Sequence, residues 1–282
     1  MIRKLTFAIS EVAPYINWPY FDYAWGVGSK GHEEREQLHR DAALRMQKLE
    51  GRYATTALFG LFRANSDGDD LLLWPDDAAQ EASPVRLPML RQQRASHPGA
   101  PNLCLTDFVR PFHLGVSDTV GVFATTVDHA IETDTTDDPY GKMMAQTLAD
   151  RLAEATAELM HLQVRRRYWG YAPDEQLSVN QLHIEAYQGI RPAVGYPSLP
   201  DASLNFILSD LIGMKDIGIR LTASGMMVPH ASVSGLMLSH PKARYFDIGK
   251  IGEDQLRDYA RRRAVPVEMA RRFLASSLLK KG

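Results

Sequence analysis

Apolar residues at three- and four-residue steps through otherwise polar sequence mark the helices of this chain. Residues 31–51 are charged and helix-favouring, and Leu38, Ala42, Leu44, Met46 and Leu49 form an approximate stripe that predicts one helix. A longer helix is predicted after Pro139, where Met144, Leu148, Leu152, Ala155, Leu159 and Leu162 recur at the same steps and should face the core. Ser178 with Gln181 makes a capping box for a shorter helix ending near Gly189. Residues 252–279 form a predicted helical pair broken near Pro266, with Arg261, Arg262, Arg263, Arg271 and Arg272 on exposed faces. Those arginines are either a solvated basic face or a dock for an acidic partner.

Strand patterns fill much of the first half. Apolar runs at 55–63 and 71–74 flank Ser66-Asp67-Gly68-Asp69-Asp70, which has the turn chemistry of a hairpin. Residues 76–100 mix prolines and charges, and 103–109 and 119–126 resume strand-like composition. Two proline-bounded loops are expected at 191–200 and 228–234. Strands and long helices without regular βαβ alternation predict an α+β fold, a mainly antiparallel sheet with long flanking helices. No linker or internal repeat divides the chain, so residues 1–282 are expected to form a single domain.

Composition narrows the function. With 45% hydrophobic residues in 282, a large core is available, and a net charge of -2 offers no field for nucleic acid or an anionic membrane. The single Cys104 excludes an internal disulfide framework and a Cys-rich zinc site, and suits a reducing compartment. Neither a secretion signal nor a membrane-spanning apolar run is visible, so a soluble cytoplasmic protein is expected. Nicotinamide, nucleotide-hydrolase, zinc-protease and serine-hydrolase motifs are all missing, and Gly26-Val27-Gly28 follows no clear strand. His230 and His240 lie at a spacing without metal-ligand meaning, and no metal site is expected.

The distinctive block is Tyr168-Trp169-Gly170-Tyr171-Ala172-Pro173, followed by Glu185-Ala186-Tyr187-Gln188-Gly189-Ile190-Arg191-Pro192-Ala193-Val194-Gly195-Tyr196-Pro197. Pro192 and Pro197 stiffen a loop, Gly195 permits close approach of backbone to a ligand, and Arg191 stands at the entrance. A guanidinium there suits bidentate capture of an amino-acid carboxylate, and Tyr196 offers a ring face and a hydroxyl. Because the loop is polar, removal of Arg191 is expected to cost ligand binding and little stability.

This block resembles the R-x-x-x-G-Y-P signature of the reactivation domain of cobalamin-dependent methionine synthase. The resemblance extends through Leu58-Phe59-Gly60-Leu61-Phe62-Arg63, Leu90-Arg91-Gln92-Gln93, Ala149-Asp150-Arg151-Leu152-Ala153-Glu154-Ala155, Ser239-His240-Pro241 and Arg244-Tyr245-Phe246, in order, from about Ile16 to Leu274. It implies that family's fold, binding of S-adenosylmethionine, and support for reductive methylation of cob(II)alamin. The implied partners are a separate cobalamin-binding methionine synthase chain and a flavodoxin-type electron donor. By the same resemblance Arg191 holds the ligand carboxylate, Gly195 and Tyr196 complete the motif, Glu154 is a site carboxylate, and Tyr245 and Phe246 form an aromatic pair by the cofactor.

Two positions depart from the family pattern. Phe246 stands where a second tyrosine is common, and Asn17 where an aspartate is usual among the ligand contacts; a neutral acceptor in place of a charged one costs roughly 1 kcal/mol or more. No D-x-H-x-x-G segment is present to ligate cobalt, so the cobalamin is expected on another polypeptide, and Met1 with Lys280-Lys281-Gly282 favours a freestanding subunit. Reactivation of a different corrinoid methyltransferase, and a non-catalytic interaction protein that has lost S-adenosylmethionine binding, are the alternatives.

Overall fold

A computed structural model describes residues 1–28, 31–75, 83–95, 97–133 and 138–279. Lys280-Lys281-Gly282 and part of the 76–100 segment lie outside the described residues. In chain order the elements are β1 (Ile2–Ala8), α1 (Ile9–Val12), α2 (Trp18–Ala24), α3 (His32–Leu49), β2 (Ala54–Asp67), β3 (Asp70–Trp74), β4 (Val85–Pro88), β5 (Asp118–Val127), α4 (His129–Thr133), α5 (Pro139–Gln163), α6 (Val179–His183), α7 (Leu204–Ile212), β6 (Arg220–Leu221), β7 (Met227–Val228), β8 (Ser232–Met237), α8 (Glu253–Arg262) and α9 (Val267–Phe273).

The main sheet runs β4-β3-β2-β5-β8, with β1 also on β2, and each of these pairings is antiparallel. β2 is long enough to serve two partners on one edge: residues 54–60 pair β1 and residues 63–67 pair β3, while β5 takes the other edge. Alternation along β2 sends Leu58, Phe62 and Ala64 into a core with Leu204, Leu208 and Ile212 of α7. Ala57 and Phe59 enter the opposite core with Leu152, Ala153 and Met160 of α5. Helices thus cover both faces, and the predicted α+β architecture holds. α8 and α9 close a further cluster through Leu256, Tyr259, Ala270 and Leu274 against Leu90 and Ile248.

Several local expectations give way to tertiary context. The hairpin turn contracts to Gly68 and Asp69, with Ser66, Asp67 and Asp70 inside the strands. Leu105–Phe108 is a 3-10 turn rather than a strand, because the Asp107 carboxylate accepts from the Cys104 N–H at 2.8 Å and closes it. Ser232 to Ser234 belong to β8 rather than a loop; the Ser232 hydroxyl is satisfied by Thr126 Oγ1 at 2.8 Å and Ser234 donates to Asn205. The capping box at Ser178 forms, but α6 stops at His183, well before Gly189. Arg262 and Arg263 do not face solvent: Arg262 bonds Asp258 and buried Asp70, and Arg263 donates to Ser203 Oγ at 2.9 Å. Arg261 and Arg272 remain exposed, and Arg271 pairs with Glu253, so the predicted run of exposed arginines is broken.

No described helix is long and apolar enough to cross a membrane.

Candidate functional site

One face of α5 places Arg151, Glu154, Ala155 and Glu158 at helical spacing toward the loop that follows Ile190. Between them lies a cavity of about 680 Å³, within the range of small-molecule sites. Its remaining walls come from Asn17 and Tyr20 at the start of α2, Glu185 and Tyr187 beyond α6, Pro192 to Ser198 in part, and Tyr245 to Asp247. α5 ends in a single π turn, Val164–Tyr168, of the kind found at functional sites. That turn buries Arg165, which pairs with Glu175 and donates to His161 Nδ1 at 2.8 Å while lying 4.1 Å from the Tyr187 ring centroid. Burial, then the charges of Arg165 and Arg191, push His161 well below its usual range, so it stays neutral and accepts that bond.

Arg191 is the charged centre of the cavity wall. Its backbone N–H donates to the Tyr245 hydroxyl at 2.8 Å, and its Nη2 meets Glu158 Oε2 at 2.9 Å. The two side chains are only 13% and 11% exposed, so each charge depends on the other. Burial pulls the Arg191 pKa down, but Glu158 and the surrounding acidic groups outweigh it and the guanidinium is held firmly charged. The loop is anchored on β8: Val194 N–H donates to Ser234 O at 2.8 Å and Leu236 N–H to Pro192 O at 3.0 Å.

Carboxylates dominate the rest of the lining. Glu154 is bound by Arg151 at 2.8 Å and accepts from the Tyr196 hydroxyl at 3.1 Å. Burial, then Glu154, raise that phenol to about 12, so it remains a donor. Glu185 occupies the left-handed region at φ 58, uncommon for a residue with a side chain and characteristic of functional sites. Burial raises its pKa, Arg191 opposes this and Glu158 adds to it. Glu154, Glu158, Glu185 and Asp247 together face two guanidiniums, Arg151 and Arg191, an excess of negative charge that favours a cationic ligand.

The model of the vitamin B12 dependent methionine synthase activation domain matches residues 8–264. The chain belongs to this family. A crystal structure described as the MetH reactivation domain bound to AdoHcy is also similar, at 36% identity and a TM-score of 0.91, covering 100% of this chain and 91% of that one.

On this activation-domain fold, six of the seven residues expected at the site line one cavity: Asn17, Glu154, Arg191, Tyr196, Tyr245 and Phe246. Asn17 sits at the N-cap of α2 with no side-chain hydrogen bond to its helix. Phe246 packs against Phe108 at 6.4 Å between ring centroids, so its ring serves the core as well as the cavity. Gly195 differs. It is not among the lining residues, a Cβ built on it would meet no protein atom within 4 Å, and at φ +90 its N–H donates to Leu199 O at 2.8 Å within the loop. Arg191, at the start of the loop, is largely enclosed.

Glu158 and Glu185 escaped the sequence reading. Glu158 lies four residues after Glu154, hence on the same helical face, and that spacing was the available signal. Glu185 opens the second stretch of the distinctive block but was given no role there, because its placement depends on the tertiary path after α6.

If the raised Glu185 carboxylate attracts a cationic ligand, affinity should be full above its folded pKa and decline as pH falls through it, earlier than for an ordinary glutamate. Titrations run downward from neutral pH check this, and Glu185→Gln should flatten the profile.

Proposed function

We propose that this cavity binds S-adenosylmethionine and that the chain presents its methyl group to a corrinoid carried by a cobalamin-binding methionine synthase module, in the cytoplasm. The reading includes a flavodoxin-type donor for the electron that reductive methylation of cob(II)alamin requires, and treats residues 1–282 as one working unit. The observation that carries it is the pairing of a buried, charged Arg191 with an excess of cavity carboxylates in a member of the activation-domain family.

The residues present fit such a ligand. The Arg191 guanidinium lies against the cavity, and its Nη1 makes no hydrogen bond among the described residues, an arrangement suited to an amino-acid carboxylate. Glu154 and Glu185 provide negative charge for a sulfonium or ammonium, and Tyr196 and Phe246 provide ring faces for a purine. S-Adenosylmethionine supplies an electrophilic methyl group bound to sulfur. The chain's own task is alignment: Tyr245 fixes the Arg191 backbone, Glu154 fixes the Tyr196 hydroxyl, and no side chain has to move a proton.

Asn17 lines this cavity with a neutral amide, so Asn17→Asp is expected to tighten S-adenosylmethionine binding by about tenfold. Isothermal titration of the two proteins tests the reading. Unchanged or weaker affinity in a folded variant would mean that Asn17 does not face the ligand's positive charge.

A further inference from the structure

We infer that Glu158 is a positioning residue that grips one side of the Arg191 guanidinium and thereby aims its other edge at the ligand carboxylate; the inference rests on the proposed role of Arg191. Glu158 is buried and projects from α5 among Ala155, Leu159 and the cavity wall, where a carboxylate contributes little to packing. A buried ion pair of this kind is often no more stabilising than apolar side chains of the same volume, so stability alone does not account for it.

The contact geometry is specific. Glu158 Oε2 meets Arg191 Nη2 at 2.9 Å, while Glu158 Oε1 and Arg191 Nε are both buried and without partners. Those two atoms do not bond each other, so the carboxylate holds the guanidinium through Nη2 alone. Nη1 makes no hydrogen bond among the described residues, and it shares the remaining edge with the second Nη2 hydrogen. Tyr245 holds the backbone N–H, and the guanidinium carbon lies 5.8 Å from the Phe123 ring centroid. The side chain is held at its base, beneath its plane and along one side, leaving one edge for a planar carboxylate.

Glutamine at this position has the same shape but keeps only one, neutral, acceptor for Nη2 and places an N–H where the second carboxylate oxygen stood, so the charged grip on the guanidinium is lost. Loss of the charge also removes repulsion between Glu158 and the ligand carboxylate. Positioning should prevail, because a released arginine recovers the rotamer freedom that binding must again remove.

The test uses two ligands, S-adenosylhomocysteine and 5′-methylthioadenosine, which lacks the amino-acid end. Wild type should prefer the first. In Glu158→Gln that preference should shrink about tenfold while 5′-methylthioadenosine affinity changes by less than about twofold. Glu158→Asp, which keeps the charge but withdraws it by one methylene, should fall between the two and serves if the glutamine variant does not fold. A wild type that does not distinguish the ligands overturns the carboxylate role of Arg191 itself. A wild type that distinguishes them, with either folded variant retaining the full preference or binding S-adenosylhomocysteine more tightly, overturns the positioning role of Glu158 alone. Equal losses for both ligands also overturn it, as the mark of a general structural element.

Discussion

Arg191→Ala is expected to abolish measurable S-adenosylmethionine binding and to lower the melting temperature as well. The ligand's carboxylate would lose its charged partner, a change of roughly 2–5 kcal/mol that moves a micromolar site toward millimolar. The loop containing Arg191 looks polar in sequence, which suggests little effect on stability. The structure says otherwise, because Glu158 would be left enclosed without its partner. Removing one member of a buried pair costs about 3 kcal/mol, or about 5 °C in a chain of this size. Arg191→Lys separates the two effects: an ammonium can still neutralise Glu158 and restore most of the stability, but it cannot reproduce the planar fork and should recover only part of the affinity. Full affinity in folded Arg191→Ala would remove this residue from the site.

Gly235→Ala should be nearly as damaging, although residue 235 does not line the cavity. A Cβ there would lie 2.2 Å from Pro192 O, 2.9 Å from Ala193 Cα and 3.0 Å from a Phe123 ring atom. The first two are backbone of the Arg191 loop, which bonds directly to β8 on either side of Gly235. A methyl group must therefore push the loop off the strand or stay at a severe clash, at about 3 kcal/mol or more. Since the same loop carries Arg191, affinity for S-adenosylmethionine should fall by roughly a hundredfold together with stability. Melting and titration on one preparation check this. A variant with wild-type values for both would contradict the described seating of the loop.

Gly235 also illustrates what sequence could and could not disclose. α3, α5 and the β2–β3 hairpin were legible because their signals are local: apolar steps along a helix, and a glycine–aspartate turn between apolar runs. α7 was missed because Leu204–Ile212 is short and apolar, giving a weak helical signal, and its meaning comes from packing beneath β5 and β8. Residues 103–109 look like a strand by composition, but one carboxylate, Asp107, turns them back on themselves. Arg262 looks like a surface cation until β3 brings Asp70 beside it from 192 residues away.

The site divides in the same way. Arg191, Tyr196, Tyr245 and Asn17 could be named through resemblance, whereas the partners that set their chemistry are long-range. Glu158 meets Arg191 across 33 residues, and Tyr245 reaches the Arg191 backbone across 54. Gly195 shows the reverse dependence: its motif position is legible in sequence, whereas its positive φ and its N–H bond to Leu199 O emerge only from the folded loop.

Calorimetric titration of the purified wild-type chain with S-adenosylmethionine, run beside Arg191→Lys, addresses the central claim most directly. The account predicts saturable binding of one ligand per chain in the wild type and a loss of roughly tenfold or more in the lysine variant, with melting temperatures close to one another. Absence of saturable binding to the folded wild type, or equal affinity in the two proteins, would contradict it.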